Sequence, residues 1–287
     1  MKRAIKKRAT TWVVALCILL LLSCSRDYPI FENVYGRFPL SVGNWWRLSR
    51  ESKWIFRPGI APYGDSMSFR GTIYWEITEK SVLRGYESYV LRNEFSEEGG
   101  STYVALDWYT DSWNGLDGLY HIAYAGTGAL PPRVLPGYRF MSGGREFGSI
   151  YELHLWICGM ELSQADTVLR IPPRKVLVYP LAVGKEWVAF DDVWLQMREV
   201  VDVENLTTPA GGFTCWKIRV SGDMLDLYDM IWFDWYADRG LIKRYFWDED
   251  FIIDPFGNPI GTYEYTSVTI LGACRDIGLK NIACSLV

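Results

Sequence analysis

The segment FPLSVGNWW, Phe38–Trp46, returns almost unchanged 141 residues later as YPLAVGKEW, Tyr179–Trp187. In both copies a proline, which lacks a backbone N–H donor, precedes a glycine that can adopt positive φ. The glycine can turn the chain into a strand whose first large apolar side chain is tryptophan. Each copy therefore predicts an extended lead-in, a glycine turn and an anchored strand. A repeat of this length indicates a duplicated β unit and not a solenoid.

Alternation of apolar and polar residues dominates the rest of the chain. Residues 72–78 and 213–220 place large apolar side chains on one face and polar ones on the other, which is typical of antiparallel strands with one buried face. Short glycine turns separate such segments, and no window of helical length shows a capped apolar stripe. The sequence predicts a mainly β fold with little helix. Two related antiparallel units, as curved sheets or half-barrels, should pack as one body, because an isolated unit leaves sheet edges uncovered.

The N-terminus has the features of an exported protein. Residues 1–8, MKRAIKKR, carry five basic residues and no acidic one, and Trp12–Leu22 is apolar throughout. This run is too short to cross a bilayer as a helix, which needs about 20 residues, and it fits the apolar region of a secretory signal. The boundary Leu21-Leu22-Ser23-Cys24 resembles the bacterial lipobox, whose cysteine is acylated and becomes the new N-terminus.

The lipobox resemblance implies an anchor. One acyl chain holds a protein only marginally at a membrane, whereas several chains on one cysteine hold it stably. Lipidation at Cys24 would therefore attach the chain to a membrane of the cell envelope. Ser25 follows, where Asp would favour retention at the inner membrane, so the resemblance implies the outer membrane if the source is Gram-negative. The alternative is an ordinary signal peptide with an accidental cysteine.

Changes in composition divide the chain into six parts. A stretch rich in proline and glycine separates the two units, which is typical of a connection. The predicted parts are a lipoprotein signal peptide over 1–23, a tether over 24–34, a first β unit over 35–130, a connection with short strands over 131–174, a second β unit over 175–272 and a C-terminal tail over 273–287.

Two further segments follow the repeat in the second unit. They are AGGFTCWKI, Ala210–Ile218, and WYADRGLIK, Trp235–Lys243. With YPLAVGKEW they resemble a mostly uncharacterised family of secreted bacterial lipoproteins that carry PLxVGxxW near the start of a β domain. The first unit matches the opening segment, with a looser echo at Asp117–Tyr120. The resemblance implies a β fold and export, and implies no activity. The likeness to the half-barrels of lipoprotein carriers is an analogy of fold alone.

Charge excludes one class of partner. The full chain has a net charge of −4, and removal of the signal peptide makes it more acidic because that segment holds basic residues only. Nucleic-acid binding depends on basic side chains that neutralise phosphates. We therefore expect no nucleic-acid partner.

The cysteines predict a disulfide. Cys17 lies in the signal and Cys24 is the lipidation site, which leaves four cysteines, Cys158, Cys215, Cys274 and Cys284. An oxidising compartment favours disulfides, and four cysteines allow three pairings. A Cys274–Cys284 bond would pin the C-terminus and is the favoured one. Cys158 and Cys215 would form a second pair or remain buried thiols. No CxxC motif supports zinc.

Metal binding and catalysis have weak support. Five aspartates lie within 223–238 and more acids within Asp111–Gly118, but neither segment has the spacing of a calcium loop. The two histidines, His121 and His154, lie in predicted strands, and no nucleophile motif accompanies them. We expect no metal, no cofactor and no catalytic activity.

The leading hypothesis is a non-catalytic, lipid-anchored envelope protein that binds an apolar ligand, a lipid or another envelope protein. The alternatives are a carbohydrate-binding surface lipoprotein and, less favoured, an envelope hydrolase with paired carboxylates. Aromatic residues make up 16% of the chain, and the positions of the tryptophans separate these hypotheses. A lined concavity would favour an apolar ligand and a flat exposed row would favour sugar. Buried rings would favour a scaffold without a small ligand.

Overall fold

Antiparallel strands make up almost all of the fold, which confirms the predicted class. The structure is a computed structural model, and it describes residues 37–60, 64–98, 102–126, 138–142, 145–149, 152–153, 167–191, 195–222 and 230–276. In this part of the chain no helix is long and apolar enough to cross a membrane.

The strands differ widely in length. They are β1 (Trp45–Ile60), β2 (Gly64–Leu83), β3 (Tyr86–Glu97), β4 (Thr102–Trp113), β5 (Leu116–Gly126), β6 (Arg139–Ser142), β7 (Arg145–Phe147), β8 (Val168–Val178), β9 (Glu186–Asp191), β10 (Leu195–Thr208), β11 (Gly211–Ser221), β12 (Ile231–Ala237), β13 (Gly240–Ile253) and β14 (Pro259–Arg275).

Twelve strands form one sheet in the order β8-β5-β4-β3-β2-β1-β14-β13-β12-β11-β10-β9. The half with β1–β5 and β8 joins the half with β9–β14 where β1 pairs with β14. The far ends of the sheet then meet through side chains. The indole Nε1 of Trp187 donates to the Lys175 carbonyl at 3.0 Å, and Nη1 of Arg198 donates to the Val176 carbonyl at 3.2 Å. The sheet is therefore nearly closed on itself as one body.

The two copies of the opening segment adopt the same local structure. Gly43 and Gly184 have φ of 89° and 82°, a conformation that glycine adopts without strain. Gly43 N donates to the Ile77 carbonyl and Gly184 N to the Val200 carbonyl, both at 2.8 Å. The amides of Ile77 and Val200 return a hydrogen bond at 2.9 Å to the residue after each glycine. Each turn thereby fixes the first strand of its half against the second.

Both tryptophans at the ends of these segments anchor their strands. Trp46 is 1% exposed and donates its indole N–H to the Arg239 carbonyl, as Trp187 does to β8. The two copies also touch each other, since Phe38 N donates to the Tyr179 hydroxyl at 2.7 Å. A buried indole whose N–H has an acceptor contributes a large apolar area without an unpaired donor.

The interior has a polar layer between two apolar clusters. Along β1 the buried inward side chains are Trp46, Leu48, Arg50, Ser52, Trp54 and Phe56. On β14 the same order holds, with Leu271, then Thr269 and Ser267, then Tyr265 and Tyr263. The first and last of these residues belong to separate apolar clusters. We call the buried polar side chains between the two clusters the polar belt, which includes Arg50, Ser52, Ser267 and Thr269 together with Asp107, His121, Arg198 and Asp234 of other strands.

The hairpin of β6 and β7 covers the apolar cluster that contains Trp54. Phe140 and Phe147 are fully buried there, and β6 pairs with the end of β13 at Ile252 and Ile253. Both short strands fall within the segment that the sequence assigns to the connection. Burial of large side chains is the main source of their stabilisation, at about 1.5–3 kcal/mol for each.

Candidate functional site

Two Asp-Trp-Tyr segments occupy matching places in the polar belt. One is Asp107–Tyr109 on β4 and the other is Asp234–Tyr236 on β12. Asp107 lies opposite Leu91 of β3, and Asp234 lies opposite Ile218 of β11. Side chains alternate between the two faces of a strand, so the aspartate and the tyrosine of each segment point inward and the tryptophan between them points outward. Both aspartates are buried, at 5% and 0% exposure.

Asp234 forms the most heavily bonded ion pair of the belt. Its two oxygens accept hydrogen bonds from Nε and Nη2 of Arg244 at 2.6 and 2.9 Å, the two-pronged geometry that makes such pairs strong. Nε1 of Trp232 donates to the same carboxylate at 2.9 Å, and Nη1 of Arg198 lies 3.5 Å from Oδ2. Burial by itself would raise the pKa of Asp234, but the charges of Arg244 and Arg198 with these hydrogen bonds hold it below its ordinary value.

Asp107 has a different basic partner. Nε2 of His121 on β5 lies 3.0 Å from Oδ1 of Asp107, and the imidazole stacks on the Tyr109 ring with centroids 4.9 Å apart. Burial lowers the pKa of His121, and the charges of Arg170 and Arg174 lower it further against the opposing effect of Asp107. Contact with Asp107 and Tyr109 accounts for the burial of the imidazole.

The two tyrosines of these segments lie in the interior. Burial raises the pKa of Tyr109, and the charges of Asp107 and Tyr236 raise it further. Burial also raises the pKa of Tyr236, followed by the effect of Asp234. Each aspartate is paired within its own half of the sheet, Asp107 with His121 and Asp234 with Arg244.

A third buried acid, Asp248, lies beside the β6–β7 hairpin. Oδ2 of Asp248 is 2.8 Å from Oγ of Ser142 and 2.7 Å from the hydroxyl of Tyr263, and that hydroxyl also contacts the Met141 carbonyl. Burial raises the pKa of Asp248 to about 7, with hydrogen bonds from Tyr263 and Ser142 acting in the opposite direction and Asp250 adding to the rise. A protonated Asp248 can donate to Tyr263, which leaves the tyrosine proton for Met141. The carboxyl thus joins the hairpin to the sheet.

The outer face of β14, β1 and β2 carries an open groove of about 460 Å³. Its outward side chains include an ion pair between Glu51 and Arg70 at 3.1 Å and the carboxylate of Glu264, which Arg57 Nη2 contacts at 2.8 Å. The lining residues are Glu51, Ser52, Lys53, Ile55, Ser68, Phe69, Arg70, Glu264, Thr266 and Val268. We call this surface the outer groove. Its mixture of paired charges and small apolar surface suits contact with a protein better than enclosure of an apolar molecule.

The tryptophans among the described residues line no exposed row. Trp46, Trp54, Trp187 and Trp235 are buried. The other described tryptophans are half-buried, and they are Trp45, Trp75, Trp108, Trp113, Trp216, Trp232 and Trp247. Stacking on sugar requires an open ring face, so this distribution does not favour the carbohydrate hypothesis. It favours the scaffold among the outcomes set out above.

Only two of the cysteines with a predicted role lie in the described part of the chain. Cys24, Cys158 and Cys284 lie outside the described residues. Cys215 is buried on β11, where burial raises the pKa of its thiol to about 12, and Cys274 is buried on β14. The Cys274–Cys284 and Cys158–Cys215 pairings therefore stay predictions, as does lipidation at Cys24.

The acidic segments do not assemble a metal site among the described residues, where no group of three or more His, Cys, Asp or Glu is placed to hold an ion. Of the aspartates in 223–238, Asp234 is buried with Arg244 and Asp238 is exposed. Asp223, Asp226, Asp229 and His154 lie outside the described residues. The sequence reasoning missed the polar belt. The signal available in the sequence was the repeated Asp-Trp-Tyr tripeptide. The sequence analysis related WYADRGLIK to Asp117–Tyr120 and did not relate it to Asp107–Tyr109.

Comparisons with known proteins give distant structural likenesses. No family model and no curated protein matches the chain. The chain is similar to a candidate exported protein with a YmcC-like fold from Bacteroides fragilis NCTC 9343, at 12% identity and a TM-score of 0.35, covering 84% of this chain and 99% of that one. It is also similar to a candidate lipoprotein from Parabacteroides distasonis ATCC 8503, at 12% identity and a TM-score of 0.29 with the same coverage. Likenesses this distant carry no argument about activity.

Proposed function

We propose that this chain is a non-catalytic, lipid-anchored protein of the bacterial cell envelope that binds another envelope protein through its outer face. The observation that carries the proposal is the distribution of the tryptophans. Each described tryptophan is buried or half-buried in the sheet, so the aromatic content serves the core and offers no open platform.

The interior supports the same proposal. Two apolar clusters and the polar belt occupy it, and its acids Asp107, Asp234 and Asp248 are at 5% exposure or less. Acids buried in this way lack the contact with substrate that general acid–base catalysis needs. The outer groove and the strand ends remain as surfaces for a macromolecule.

The anchor is tested by metabolic labelling with a palmitate analogue in a Gram-negative host. Full-length protein should incorporate label, Cys24→Ala should lose it, and the matched control Cys17→Ala in the apolar signal run should keep it. Label that persists in Cys24→Ala would contradict lipidation at that residue.

The partner class is tested on secreted protein that lacks the anchor. Titration with an apolar fluorescent probe and with a soluble polysaccharide should give no saturable binding to either. Saturable binding of the probe would replace the protein partner with an apolar ligand, and saturable binding of the polysaccharide would restore the carbohydrate hypothesis.

A further inference from the structure

The turn between β13 and β14 displays apolar side chains to solvent. Phe256 is 89% exposed at its apex, and Phe251 and Ile260 on the flanking strands are 50% and 40% exposed. We call Phe251–Gly261 the hairpin tip. A single exposed apolar residue needs no explanation, but large apolar side chains concentrated in one turn mark an interaction site.

The hairpin tip is held in one conformation by Asp254. Its Oδ1 accepts hydrogen bonds from the amides of Phe256 and Asn258 at 2.8 and 2.9 Å, and its Oδ2 accepts from Nδ2 of Asn258 at 2.9 Å. Asp254 N donates to the Asn258 carbonyl at 2.9 Å, and Gly257 completes the turn with φ of 86°. The phenyl ring of Phe256 is therefore presented on an ordered turn, which reduces the entropy lost when it binds.

We propose that the hairpin tip is the docking element for the protein partner, with Phe256 as the side chain that enters an apolar pocket of that partner. This inference rests on the proposed function and names the part of the outer surface that performs it. Burial of one aromatic side chain in a pocket commonly dominates the energy of an interface.

The charge of the hairpin tip argues against an anionic membrane surface as its occupant. Its eleven-residue sequence, FIIDPFGNPIG, contains one acidic residue, Asp254, and no lysine or arginine. The arginines beside it on neighbouring strands, Arg57 and Arg139, are paired with glutamates. Insertion at an anionic membrane surface is normally assisted by basic side chains, at about 1 kcal/mol for each. An apolar tip with one carboxylate therefore fits a protein pocket and gains nothing from anionic headgroups.

The test is photo-crosslinking in intact cells that carry the full-length protein. A photoreactive phenylalanine is placed in turn at Phe256, at Lys53 in the outer groove and at Leu116. Leu116 is the matched control, because it is 58% exposed in the β4–β5 turn at the tether end of the sheet. We expect a discrete protein adduct from position 256 and none from position 116.

The adduct is then tested in solution. The crosslinked protein, identified by mass spectrometry and purified, should bind the full-length protein in detergent. Phe256→Ser should weaken that binding roughly tenfold or more, the change expected when a buried aromatic anchor is removed, and Leu116→Ser should leave it unchanged. Asp254→Ala should weaken binding while the phenyl ring is retained, since the turn loses its acceptors.

Each other outcome has a definite meaning. A lipid adduct from position 256 would overturn the inference in favour of a membrane. A protein adduct from position 53 without one from position 256 would overturn the tip and leave the proposed function standing. No protein adduct from any position would overturn both.

Discussion

Replacement of Asp248 by Asn should make the protein more stable at alkaline pH. The folded carboxyl holds its proton up to a pH of about 7, whereas its ordinary pKa is 3.8. Stability from the protonated form is complete below about pH 4 and is lost as the pH rises through 7. A shift of about three pKa units corresponds to about 4 kcal/mol, at about 1.4 kcal/mol for each unit.

Asn at position 248 resembles the protonated acid, because its amide can donate to the Tyr263 hydroxyl 2.7 Å from Oδ2. We expect the free energies of unfolding of Asp248→Asn and the wild type to differ least at pH 4.5. At pH 8 the free energy of unfolding of the variant should exceed that of the wild type by up to about 4 kcal/mol. Urea unfolding at pH 4.5, 6 and 8, with unchanged slopes, measures this difference.

Glu249→Gln is the matched control for this prediction. Glu249 is the next residue on β13 but its side chain is 45% exposed, so its replacement should change stability by less than about 0.5 kcal/mol. An Asp248→Asn variant that is less stable than the wild type at pH 8, or a stability difference that does not vary with pH, would show that Asp248 is not protonated in the folded protein.

Three further predictions concern the fold. Gly184→Ala should cost about 1–2 kcal/mol in urea unfolding, because φ is +82° while no atom lies within 4 Å of the new Cβ; an unchanged stability would be inconsistent with the turn. Arg244→Met should cost about 3–5 kcal/mol by leaving Asp234 charged and buried, and Asp234→Asn in the same chain should recover at least half of it. Failure of that second change to recover stability would argue against the ion pair. The native Cys215 thiol should resist iodoacetamide at pH 8, because burial raises its pKa to about 12, and rapid labelling before unfolding would contradict its burial.

The sequence was sufficient for the fold class. Alternation over 72–78 and 213–220 correctly predicted strands within β2 and β11, because a period of two is a local property. The glycine turns at Gly43 and Gly184 were also predictable, since they depend on one residue each. Strand order was not predictable in this way. The pairing of β1 with β14 joins the two ends of the described chain, and nothing local in either strand specifies it.

The polar belt lay beyond the sequence reasoning for a related reason. Asp234 was counted among acids of a candidate metal segment, while its partner Arg244 lies on the next strand across a turn. A carboxylate on the solvent-exposed face of a strand and one in a buried ion pair have the same pattern of neighbours in the sequence. What distinguishes them is the face of the closed sheet that each occupies, and the matching tripeptide at Asp107 was the one indication in the sequence.

Native mass spectrometry of the protein, released from cell membranes in mild detergent, shows whether it is an acylated protein with a protein partner. We expect a mature chain that begins at Cys24 and carries covalent acyl groups, with a second protein bound and no other small molecule retained. A chain that holds a stoichiometric lipid or sugar beyond its anchor, and no protein, would contradict this expectation.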